Sequence, residues 1–275
     1  MSTVIIVTNL SAASQNALDY ACAFMQGKPV RFVLLRVFAF SAGFAGDGVG
    51  VAALSEVSAH DQNVLDTEKE RIQTLYPNVE VETRLVAGQF MEALQDEVAG
   101  EDVRLVVMGA EGDYNDLLSW DNHMVNAFVD LPVPVLMVPA SVHFAGVKQI
   151  AFACNYKRDD LYGPVQTLRR LLHRLGSSLH FVHIQKEAGA LQPDELEWKH
   201  KWEQELADER VTFEELGGDN VVAALDAFST EKQIDLLAIR PHRAGIWASI
   251  FNRSNTRDIT HLNTIPVLAL RGGGM

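Results

Sequence analysis

Cysteine is scarce: Cys22 and Cys154 are the only two in 275 residues, too few for a disulfide framework. Neither has a Cys or His neighbour at useful spacing, so both are expected to pack as small apolar side chains. No stretch approaches the roughly 18 consecutive apolar residues that a membrane span requires. The first strand starts almost at once, without the basic flank and long apolar segment of a secretory signal, so export is not expected and the cytoplasm fits. Positive charge is also short, with Lys+Arg 23 against Asp+Glu 36 and a formal net charge of -13. Such a chain repels phosphate backbones and anionic lipid, and a nucleic-acid or membrane role would need a local basic patch. Lys157, Arg158, Arg169, Arg170, His173 and Arg174 form the one basic cluster of note. Asp159 and Asp160 interrupt it, and it is expected to be a solvated helix face.

Catalytic signatures are missing too. There is no G-x-S-x-G elbow, no H-E-x-x-H and no Gly-Lys-Ser/Thr phosphate loop, which weighs against the common hydrolases and NTPases. The glycines at 43–50 lack a lysine and a following Ser or Thr, so that segment reads as a flexible loop or lid. His180 and His183 are three apart in a strand pattern, which sends them to opposite faces and argues against zinc. His242 and His261 read as polar surface residues. No enzyme is expected.

What is present is core. Apolar residues make up 48% and charged residues 21% of the chain, and 275 residues suit two cores better than one. The run Val4, Ile5, Ile6, Val7 leads into the polar Thr8, Asn9, Leu10, Ser11, and then into a helix pattern with Ala17, Leu18, Ala21 and Phe24 on one face. Apolar runs follow at 32–37, 105–108 and 133–138. Such runs, separated by amphipathic helices, indicate parallel strands covered on both faces. The second half repeats the order: a strand at 150–153, Asn155 in the next loop, a helix carrying Val165, Leu168, Leu171, Leu172 and Leu175, then runs at 179–184, 236–239 and 266–270. The join falls between Pro139 and Val147, in a short connector with Ser141, Phe144 and Gly146.

Between the second and third runs of the first half lies a longer insertion, glycine-rich at 42–50 and helical at 53–75. The matching connection in the second half is shorter. There Pro193 opens a helix whose Trp198 and Trp202, four apart, share one face and are expected to pack rather than stack on a ligand.

The tandem layout, the strand-Asn-helix opening and the strand-final Pro-Val-Leu runs at 134–136 and 266–268 resemble the universal stress protein (UspA-like) family in its two-domain form. The resemblance covers nearly the whole chain. It implies an α/β fold of two tandem Rossmann-like domains of the adenine-nucleotide alpha-hydrolase type, at 1–140 and 148–271. Each would be a five-stranded parallel sheet flanked by helices, and the two would pair through their last strands as a pseudo-dimer. A further homodimer stays open.

Family members that bind ATP carry an Asp after the first strand and, after the fourth, a Gly-x-x-Gly loop followed by Gly and Ser or Thr. Glycines let backbone amides approach phosphate, and the hydroxyl residue caps a helix facing the negative charge. Here Asn9 stands for the Asp, Gly109-Ala110-Glu111-Gly112 keeps both glycines, and the downstream pair reads Asn122-His123. Glu111 and Asp113 oppose a triphosphate unless a metal such as Mg2+ intervenes. The crevice beyond the strand ends would gather Asn9, Val37, Gly88, Gly109 and Gly112. In the second half Asn155 follows the first strand, Arg240-Pro241-His242-Arg243 replaces the glycine loop, and Ser254 and Thr256 remain downstream. Pro241 removes an amide that a phosphate cradle would use. Arg240, Arg243, Arg253 and Arg257 could hold phosphate by side-chain forks or pair with acidic residues.

The resemblance thus implies a stress-response binding or regulatory protein with ATP as a ligand in the first domain and a degenerate second site. An interaction scaffold with both sites vestigial, meeting a protein partner, is the alternative. An adenylating enzyme is a third reading, but its Ser-Gly-Gly-x-Asp-Ser loop is replaced by Thr8-Asn9-Leu10-Ser11. Neither nucleic acid nor membrane is expected as a partner.

Overall fold

A computed structural model describes residues 1–38, 48–110, 120–154, 156, 164–185, 191–207, 209–241 and 264–271. β1 (Ser2–Val7) is buried along its whole length, as its β-branched run requires of a central strand covered on both faces. Parallel to it lie β2 (Val30–Phe38) on one side and β4 (Val103–Ala110) on the other. β3 (Glu80–Ala87) pairs with β2 at the edge, and β5 (Val135–Pro139) pairs with β4. The second half repeats this arrangement with β6 (Gln149–Ala153), β7 (Ser178–Gln185), β8 (Val211–Gly217), β9 (Leu236–Ile239) and β10 (Val267–Ala269).

The result is one 10-stranded sheet in the order β3-β2-β1-β4-β5-β10-β9-β6-β7-β8. Every pairing is parallel except the central one, where β5 meets β10 antiparallel with Leu136 opposite Leu268. The two halves therefore join through their last strands, with the topology that the repeat implies.

Helices cover both faces. α1 (Ala12–Phe24) and α2 (Gly48–Leu75) from the first half share one core layer with α5 (Pro164–Leu175) and α6 (Pro193–Glu205) from the second. α3 (Phe90–Ala99), α4 (Trp120–Asp130) and α7 (Val221–Lys232) build the opposite layer. Alternate residues of each strand feed the two layers: Val4 and Ile6 one, Ile5 and Val7 the other.

Local chemistry sets the helix starts. Ser11 caps α1 by accepting from the Ser14 amide, and Asn220 caps α7 by accepting from the Val222 and Ala223 amides. α6 opens on Pro193, with Gln192 and Glu195 forming a capping box. Trp202 is fully buried between Phe152 and Phe181, with ring centroids 5.8 and 4.5 Å away. Trp198 packs at the edge of the same core. The two cysteines are buried and free.

Two features depart from the sequence reading. The long insertion after β2 is not one loop and one helix, because it also contains β3 and α3. β8 likewise lacks the continuous apolar run sought. The connector is pinned: the Asn16 side chain donates to the Pro139 and Val142 carbonyls at 3.0 and 2.9 Å. Phe144 packs edge-on against Tyr20, 5.2 Å between centroids.

Candidate functional site

In a parallel sheet the crevice opens where the strands end and their helices begin, because helix N-termini and loop amides converge there. At the end of β1 the Thr8 amide donates to the Leu35 carbonyl at 2.9 Å, which carries the pairing one residue past the strand. The chain then reverses through Leu10, whose φ of 65° is left-handed, with its amide bound to Thr8 Oγ1 at 2.9 Å.

Asn9 sits inside this turn. Its side-chain carbonyl accepts from the Ser11 amide at 3.2 Å and from the Ser14 hydroxyl, while its own amide donates to Ser14 Oγ at 3.2 Å. Asn9 therefore spends its acceptor on fixing the entry to α1, and the nucleotide contact available to the family's Asp is met here by the loop itself.

Gly109, near the end of β4, lies beneath the first turn of α1. A Cβ there would fall on the Ala13 carbonyl and 2.7 Å from the Ser14 nitrogen, so only glycine lets the helix approach the strand. Val37 is buried near the end of β2. Gly88 follows β3 with φ 155°, its amide bound to the Phe38 carbonyl at 3.1 Å, and leads into α3. Asn122 lies in the first turn of α4. His123, on the same helix, stacks on Phe90 of α3 with centroids 4.2 Å apart, and burial lowers its pKa. Burial thus favours its neutral form. Gly112, Asn155, Arg243, Ser254 and Thr256 lie outside the described residues.

Beside this crevice, on the α1 and α2 side of the sheet, is a cavity of about 190 Å3. Leu18, Leu34, Val64 and Leu65 give it apolar walls, and Thr8, Ser11, Gln15 and Glu68 a polar rim. Gln15 donates to Glu68 at 2.8 Å, and Arg71 joins Glu68 to Asp19 at 2.9 and 2.8 Å. The Arg36–Asp61 ion pair, 2.9 Å with both groups largely buried, fixes α2 against β2.

The second half builds the same loop with a different filling. The Cys154 amide donates to the Val182 carbonyl at 3.1 Å, as Thr8 does to Leu35, and Tyr156 takes the left-handed place of Leu10 with φ 45°. The Tyr156 ring is fully buried and stacks on His183, centroids 4.9 Å apart, while His183 Nδ1 meets the Cys154 carbonyl at 3.1 Å. Leu10, at the matching position of the first half, borders the cavity instead. Burial, with Cys154 and nearby Glu215 and Glu203 adding to it, holds the Tyr156 phenol far above its ordinary range.

Arg240 follows β9 and acts on Arg271 at the seam between the halves. Burial lowers the Arg271 pKa, Asp130 opposes this, and Arg240 adds to the lowering, while Arg271 donates to the Phe128 carbonyl. His180 and His183 project to opposite faces: His180 touches Phe228 of α7 and His183 touches Tyr156. Among the described residues no group of three or more His, Cys, Asp and Glu could hold a metal ion, and no helix is long and apolar enough to cross a membrane.

Sequence reasoning missed the roles of Leu10, Phe90 and Tyr156. Aligning Thr8-Asn9-Leu10 with Cys154-Asn155-Tyr156 carries the signal for two of them, because both triplets end each half's first strand. The Phe90–His123 stack has no such signal, since it joins helices far apart in the chain.

Comparison with known proteins agrees with this architecture. A model of the universal stress protein family matches residues 1–139. A universal stress protein from Archaeoglobus fulgidus DSM 4304 is similar over 98% of this chain and 96% of its own, with TM-score 0.68 and 15% identity. A functionally unknown protein from Pseudomonas aeruginosa PAO1 is similar over 99% and 93%, with TM-score 0.57 and 14% identity. The cytoplasmic domain of a prokaryotic cation chloride cotransporter is similar over 98% and 95%, with TM-score 0.50 and 7% identity. No curated protein matches the chain.

Proposed function

This chain belongs to the universal stress protein family, and from that premise we propose that it is a stress-response protein of the cytoplasm. It acts by binding rather than turnover, and its one working crevice, in the first half, takes an adenine nucleotide. The contrast between Leu10 and Tyr156 carries the reading. At the same left-handed loop position, Leu10 borders a cavity with apolar walls and a polar rim, whereas Tyr156 is buried against His183. A flat heteroaromatic base suits such a cavity, because its faces meet Leu18, Leu34 and Val64 while its edge meets hydroxyl and amide groups.

Burial favours the neutral form of His123, which lies against Phe90, and Glu111, Gly112 and Asp113, which would stand nearest a triphosphate, lie outside the described residues. The two buried free cysteines suit a reducing compartment.

The test is direct. Protein released from heat or acid denaturation is analysed for co-purified nucleotide, and the melting temperature is followed with millimolar ATP, with and without magnesium. A ligand at 100 times its dissociation constant adds about 2.7 kcal/mol of stability. Absence of both co-purified nucleotide and a thermal shift would overturn the reading.

A second reading, an interaction scaffold with both crevices closed to nucleotide, is favoured by the Asn9 carbonyl being engaged with Ser11 and Ser14. It predicts a blank in that assay together with a stable protein partner recovered without nucleotide.

A further inference from the structure

At the other end of β1 and β4 from Asn9 and Gly109, the two halves enclose a cleft of about 660 Å3. Lys28 and Arg104 line it from the first half, and Arg170, His173 and Arg174 of α5 line it from the second. Val30 and Leu171 contribute apolar floor. No Asp or Glu is among the lining residues, in a chain whose formal net charge is -13. Carboxylates touch the lining at two points: Asp102 accepts from Ser2 Oγ at 2.9 Å, and Glu209 holds His173 at 2.9 Å. Glu209 offsets His173, while among the described residues Lys28, Arg104, Arg170 and Arg174 enter no ion pair.

Arg174 is the unusual member. Its guanidinium carbon lies 4.4 Å from the Phe24 ring centroid, across the junction of the halves, and Nη1 meets Met25 Sδ at 3.4 Å. Nε and Nη2 are buried and meet no hydrogen-bond acceptor among the described residues. Burial lowers its pKa, the signature of a cation removed from water without an anion to meet it. Buried cations in proteins are ordinarily paired, because an isolated one costs several kcal/mol or more. Arg170 and His173 are exposed, as the solvated face expected from sequence requires, and Arg174 departs from it by packing against Phe24.

We propose that this cleft is a binding site for a small polyanion of the oligophosphate class. Arginine forks match phosphate oxygens in pairs, and the four cations converge at a density that suits several negative charges on one compact ligand. The volume fits a metabolite-sized molecule. A long polyanion would meet the acidic remainder of the surface and be repelled. Because the site draws its cations from both halves, a ligand there also ties α5 to the α1–β2 turn.

Titration calorimetry of the intact protein with inorganic pyrophosphate, free of magnesium and at about 0.1 M salt, tests the assignment. One saturable site is expected. Arg104→Glu with Arg170→Glu, both exposed and free of core contacts, weakens it at least about tenfold, and Arg174→Met, which keeps an apolar stem over Phe24, weakens it by a similar factor. Lys232→Glu, a charge reversal on α7 on the other face, leaves the affinity within twofold. Absence of saturable binding at millimolar pyrophosphate, or equal weakening by Lys232→Glu, overturns the proposal. Melting curves of each variant separate lost binding from lost fold.

Discussion

Gly109 and Ala13 touch where α1 crosses the end of β4, and the strand glycine exists there to let the helix carbonyl in. The same glycine is the first of the family's loop, so one residue serves packing in this chain whatever the crevice binds. Gly109→Ala is expected to push α1 off the sheet and destabilise the protein by about 3 kcal/mol, with Gly109→Val worse. Chemical denaturation measures this. A variant with unchanged stability would show that α1 can shift without penalty.

Exchanging the two crevice residues separates their roles. Leu10→Tyr should fill the cavity beside it and abolish any thermal shift with ATP while leaving the fold intact, because the backbone is already left-handed at that position. Retention of the full shift in Leu10→Tyr would remove the cavity from the binding site.

Tyr156→Phe probes the buried phenol. The hydroxyl has no hydrogen-bond partner among the described residues, so its removal is expected to be neutral or to stabilise by about 1 kcal/mol. A loss of more than about 1 kcal/mol, read by denaturation, would mean that a bound water or ligand meets the hydroxyl in solution.

Acid should loosen the edge of the first half. Arg84 binds Glu82, Glu97 and Glu101, and Arg31 reaches Glu82 and Glu101. Burial alone would raise the Glu101 pKa, but bonds from Thr3 and Arg84 and the charges of Arg84 and Arg31 outweigh it, and the net shift is down. A folded pKa below the unfolded value means stability that is present above about pH 4.5 and is lost as pH falls through the lower, folded value. Glu101→Gln should therefore cost about 1–2 kcal/mol at pH 7 and flatten the stability curve below pH 4.5. An unchanged curve would assign the network no share of acid stability.

The central seam can be tested by a double-mutant cycle. Leu136 and Leu268 are register partners in the antiparallel pair and both are fully buried. Each change to Ala is expected to cost about 3 kcal/mol, and the pair less than the sum of the two, because each single change already spoils the contact the other shares. Strict additivity would mean that the two halves pack independently there.

The contrast between central and edge strands explains which elements could be read in advance. β1, β2, β4, β6 and β9 lie inside the sheet, and each carries a stretch of consecutive buried apolar residues, such as Phe32 to Leu35 and Leu105 to Met108, that marks it in the sequence. β3 (EVETRLVA) and β8 (VTFEELG) each have one neighbour and a half-exposed face, so Glu82, Arg84, Glu214 and Glu215 break the run and hide the strand. Their existence followed only from the family resemblance. Arg174 alone of the α5 basic residues departs from the solvated face, for a related reason: helical spacing shows which residues share a face but not where the other half of the molecule covers it.

The sequence by itself determined the repeat, the alternation of buried strands with helices, and the last-strand runs through which the halves join, because burial on both faces leaves a continuous apolar record in the chain. Only the tertiary structure decided that Asn9 spends its acceptor within its own loop, that Tyr156 is buried on His183 while Leu10 borders a cavity, and that Arg104 and Arg174 face a common cleft. The first depends on the local turn geometry and the other two on side chains that meet across tens of residues, and hydrophobic pattern carries no record of either.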